Sequence, residues 1–65
     1  MWMVVGMAGS AKRAAQMQKT LEEEGILVKL RNVTAKTRSN GDTIEVLVLE
    51  SEAAAARKII VDHGL

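Results

Sequence analysis

The chain has no cysteine, no phenylalanine and no tyrosine, and it holds one tryptophan and one histidine. Without thiols it forms neither a disulfide nor a thiolate metal site, which fits a reducing compartment, and the cytoplasm is the expected location. With Trp2 as the single aromatic, the 48% of apolar residues are otherwise Ala, Val, Leu, Ile and Met, so any core is assembled from many small contacts. His63 has no second histidine and no acidic pair at fixed spacing to work with, so neither a metal site nor an acid–base couple is legible. No catalytic residue and no cofactor are expected. Neither sign of charge is in marked excess. Nine basic and eight acidic side chains leave a formal net charge of +1, so no global field favours nucleic acid or an anionic membrane. The opening run from Met1 to Gly6 is apolar, but it is too short for a membrane span and lacks the basic start of a signal peptide.

What is present is enough for one domain, residues 1–65, near the lower size limit for folding without disulfides or metal. A domain of this size comes out close to zero when apolar burial is weighed against conformational entropy, so burial against a partner would help. Trp2 to Val5 is apolar on both alternation sets, which suits a strand covered on both faces. Gly6 to Gly9 break that pattern. Ser10 then reads as the N-cap of a helix running to about Glu24, with Gly25 as its stop. Ala11, Ala14, Met17, Gln18 and Leu21 recur at spacings of three and four and form its apolar stripe.

Ile26 to Arg31 alternates as a half-exposed strand, with Ile26, Val28 and Leu30 opposite Leu27, Lys29 and Arg31. Residues 32–42, with the turn dipeptide Asn40-Gly41, read as a long hairpin connection. Thr43 to Glu50 is the third strand, with Ile44, Val46 and Val48 on one face and Glu45, Leu47 and Leu49 on the other. Ser51 is expected to cap a second helix ending near Asp62, with Gly64 as its stop and Ala56, Ile59 and Ile60 as its buried stripe. The β-branched run Ile59-Ile60-Val61 leaves a short fourth strand as the alternative.

The expected class is therefore α+β, of order β-α-β-β-α, with a three-stranded antiparallel sheet and two helices on one face. The third strand lies between the other two. That arrangement leaves a sheet face without helices, and apolar residues remain to point at it. Either Met3 and Val5 or Trp2 and Val4, depending on which alternation set faces the helices, supply them together with Leu47 and Leu49, so a homo-oligomer, dimer or trimer, is expected through residues drawn from this set. Alternatively, Val61 to Leu65 cover part of this surface.

The opening strand, loop and helix, then Leu21-Glu22-Glu23-Glu24-Gly25-Ile26-Leu27-Val28-Lys29-Leu30-Arg31, then Ile44-Glu45-Val46-Leu47-Val48-Leu49-Glu50-Ser51-Glu52, resemble a family of short prokaryotic signal-transducing proteins. The resemblance spans nearly the whole chain and implies a ferredoxin-like, P-II-like sandwich in a bacterial protein. Some proteins that look like this carry the label glutamate decarboxylase, which implies a pyridoxal-phosphate site far larger than 65 residues can build. The chain departs from the family at Ala8-Gly9, where a proline is usual, and in the apolar start of its second helix at Ala53 to Ala56.

Two local features remain as candidate sites. Gly6, Gly9 and Ser10 lie between a strand and a helix N-terminus, where backbone N–H groups can hold an anion, although simple turn geometry explains the same residues. The segment lacks the Lys-Ser/Thr of a P-loop and the third glycine of a dinucleotide fingerprint. Lys29, Arg31, Lys36 and Arg38 place four positive charges on ten residues with no acid among them, a candidate contact for a partner protein, an anion or nucleic acid. No aromatic lies nearby to stack on bases, and a solvated strand face accounts for the same charges. His63 reads as a favourable charge at a helix end.

Overall fold

The structure, a computed structural model, describes residues 1–33 and 43–65. In chain order the elements are β1 (Trp2–Ala8), α1 (Ala11–Glu23), β2 (Val28–Val33), β3 (Thr43–Leu49), a 3₁₀ turn (Glu50–Glu52) and α2 (Ala53–Asp62). The protein is α+β, with a three-stranded antiparallel sheet in the order β1-β3-β2. β3 is antiparallel to both neighbours, so β1 and β2 run parallel and α1 is their crossover.

The core fills the space between the helices and one sheet face. Ala14, Met17 and Leu21 of α1 and Ala53 and Ala56 of α2 meet Val28, Val46 and Val48, with Met3, Val5, Leu30, Ile44, Ile59 and Ile60 packed around them. Small side chains let the layers approach closely: Ala14, Ala56, Leu21, Val46 and Val48 are all fully buried. Ile59 to Val61 is helical, because the alanine-rich start of α2 presents a buried face only if the helix continues into Ile59 and Ile60.

Both helices end in the same device. At the end of α1 the Gly25 N–H donates to Glu22 O and the Ile26 N–H to Leu21 O, at 3.0 and 3.1 Å. At the end of α2 the Gly64 N–H donates to Val61 O and the Leu65 N–H to Ile60 O, at 3.2 and 2.9 Å. Gly25 and Gly64 take φ values of 85° and 67°, the left-handed conformation that the Schellman motif requires. The residue after each glycine then turns inward: Ile26 joins the core, and Leu65 packs against it. The tail therefore closes the helix side of the molecule. The alternative in which it shields the opposite sheet face is excluded for Leu65.

Three local readings are corrected. β1 does not stop at Val5 but continues to Ala8 through a β-bulge between Val4 and Gly6. The extra residue shifts the side-chain phase by one, so that Gly6 and Ala8 pair with Val46 and Ile44 on the core face that Met3 occupies before the bulge. β2 begins at Val28, two residues later than expected, because Ile26 is used in the helix stop. Ser51 does not cap α2: it lies within the 3₁₀ turn, and the N-cap position belongs to Glu52, which makes no side-chain cap hydrogen bond.

Candidate interaction surface

The sheet face away from the helices carries Trp2, Val4 and Met7 from β1, Glu45, Leu47 and Leu49 from β3, and Lys29, Arg31 and Val33 from β2. Strand alternation places them there, since each pairs with a neighbour of the same phase. Of the six residues expected at an oligomer interface, Trp2, Val4, Leu47 and Leu49 are on this face. Met3 and Val5 are not: they point to the helices and pack against the core. Met7, 59% exposed, and Val33, 39% exposed, extend the apolar strip beyond what the sequence indicated. The sequence gives no sign of Met7, because the glycines on either side of it mark the end of a strand rather than its continuation.

Part of this surface is covered from within. Leu47 is only 4% exposed although no helix lies over it. The Lys29 Nζ stands 5.5 Å from the centre of the Trp2 ring, and these residues belong to the two strands flanking β3. Their contact therefore passes over the central strand, roofing Leu47 with a cation–π pair. Val4 and Met7 stay outside that roof, along the β1 edge.

The basic segment is less available than its sequence suggests. Arg31 faces Glu45 across the β2–β3 ladder, and its Nε donates to Glu45 Oε1 at 2.6 Å. Lys29 is engaged with Trp2. Lys36, Arg38 and most of the 32–42 connection lie outside the described residues, although Asn32 and Val33 belong to β2. The pairing of Arg31 with Glu45 could have been read from the sequence only with the hairpin register known, and a long connection leaves that register open.

The glycine segment separates into two parts. Gly6 is inside β1, where an added Cβ would stand 2.6 Å from Cε of Met17 and 3.8 Å from Cδ1 of Ile60. It serves close packing of both helices on the strand, not a loop around an anion. Gly9 has open space about it. Ser10 is the N-cap, its Oγ accepting from the Arg13 N–H at 3.2 Å, so one of the first-turn donors is already satisfied by the chain. His63 is the C-cap residue of α2, its N–H bonded to Ile59 O at 3.0 Å. Beside it an open groove is lined by Gln16, Lys19, Thr20, Glu23 and Leu65. Among the described residues no group of three or more His, Asp or Glu gathers into a metal-holding cluster. No helix among them is long and apolar enough to cross a membrane.

Comparison with protein-family models, with curated proteins and with solved structures found no match to the chain.

Proposed function

We propose that this chain is a small, non-enzymatic regulatory or protein-interaction module that acts as a homo-oligomer, with the helix-free sheet face as its contact surface. The observation that carries this reading is the strip of Trp2, Val4, Met7 and Leu49 on a face to which neither helix nor Leu65 contributes cover. Apolar strips of this kind on small domains mark interfaces. The central third strand and the crossover helix fit a ferredoxin-like, P-II-like sandwich, and the resemblance to prokaryotic signal-transducing proteins supports a regulatory role in the cytoplasm. Sedimentation at micromolar concentration tests the reading: a dimer or trimer is expected. A monomer at every concentration that also fails to bind an apolar dye rejects it.

A further inference from the structure

The sheet has two outer strands, and they are armed differently. β2 carries Lys29 and Arg31, the charged side chains by which natural edge strands resist pairing. β1, Trp-Met-Val-Val-Gly-Met-Ala, carries no charge and no proline over seven residues, and Val4 and Met7 are exposed along it. Its outer backbone groups have no strand beside them among the described residues.

We infer that β1 pairs antiparallel with β1 of a second copy about a two-fold axis, joining two three-stranded sheets into one of six strands. This rests on the reading of the chain as a homo-oligomer and places the contact between copies at the β1 edge of the sheet rather than over its open face. A second copy is the occupant that fits best on charge. The strand offers no ionic group to select a foreign partner, whereas its own duplicate brings an equally uncharged, apolar strand. The same two-fold operation at β2 would bring the two cations Lys29 and Arg31 of one copy against those of the other and is disfavoured. Pairing therefore uses one edge per copy and leaves the charged edges outermost, which closes the assembly as a dimer and does not propagate into a filament. The bulge at Val5 bends this edge and confines any pairing to one of the straight stretches Trp2–Val4 and Gly6–Ala8.

Amide hydrogen exchange of the whole chain, followed residue by residue above and below the association midpoint, tests this. In the associated protein the β1 amides not bonded to β3 are expected to exchange roughly tenfold or more slowly than in the dilute protein. An oligomer in which those amides exchange at the dilute rate keeps the interaction reading and overturns edge pairing. A monomer throughout overturns both. V4K and M7K should each raise the dissociation constant by roughly tenfold or more, because a charged side chain is then set against the uncharged strand of the second copy. The control V61K, at a residue of α2 that is 77% exposed, should leave it unchanged. Equal weakening by all three substitutions would count against the β1 edge.

Discussion

Gly6 and Gly9 stand three residues apart and do unrelated work. A methyl group at Gly6 collides with the end of Met17, itself 3% exposed in a dense core, so Met17 must leave its position for the strand to accept it. Because the atom in the way is the flexible end of a methionine, Gly6→Ala is expected to destabilise by about 1 kcal/mol or less in chemical denaturation. Gly9→Ala meets nothing and has no left-handed backbone to preserve, so it should be neutral or stabilise by up to about 1 kcal/mol. The serines divide in the same way. Ser10→Ala removes a cap and should cost about 1 kcal/mol. Ser51→Ala should stay within about 0.5 kcal/mol, the range of surface substitutions, since Ser51 is exposed and caps nothing. If Ser51→Ala proves the costlier of the two, this assignment of caps is wrong.

At the scale of elements, the β2–β3 ladder is tied by Arg31 and Glu45, whose side chains are 59% and 16% exposed. A double-mutant cycle to alanine should give a coupling of roughly 0.2–1 kcal/mol that shrinks as salt is raised. A coupling indifferent to salt would mean that packing, not charge, joins the pair. The helices were legible in both stop signals because a glycine after a periodic run has a specific geometric use, and Gly25 and Gly64 both serve it. The length of β1 was not legible. Its bulge changes which residues share a face, and no local pattern in Gly6-Met7-Ala8 announces an added residue.

For the molecule as a whole, the one tryptophan is also the reporter. Trp2 is half-buried against Lys29 on the proposed contact face, so its emission should shift to the blue with rising protein concentration, along the same curve as the sedimentation coefficient. The melting temperature should rise with concentration as well, because association stabilises the folded state by mass action. A concentration-independent melting temperature and a fixed emission maximum would show that the roof over Leu47 is all the cover this face receives. Lys29→Ala separates the internal roof from the interface: it should destabilise the dilute protein by about 0.5–1 kcal/mol through loss of the cation–π contact and its aliphatic cover.

Composition, alternation and two glycine stops determined the element order and the core-facing set Ile44, Val46 and Val48, which follow from the period of side chains along one segment, and the connection rule for a crossover followed by an antiparallel return placed the third strand centrally. The basic segment, the glycine turn and the apolar surplus were visible as residue lists only. Which of them share a surface depends on register and bulge, quantities set between strands. Tertiary structure therefore moved Met3 and Val5 into the core, paired Arg31 with Glu45, laid Trp2 and Lys29 over Leu47, and left β1 as the one edge without charge.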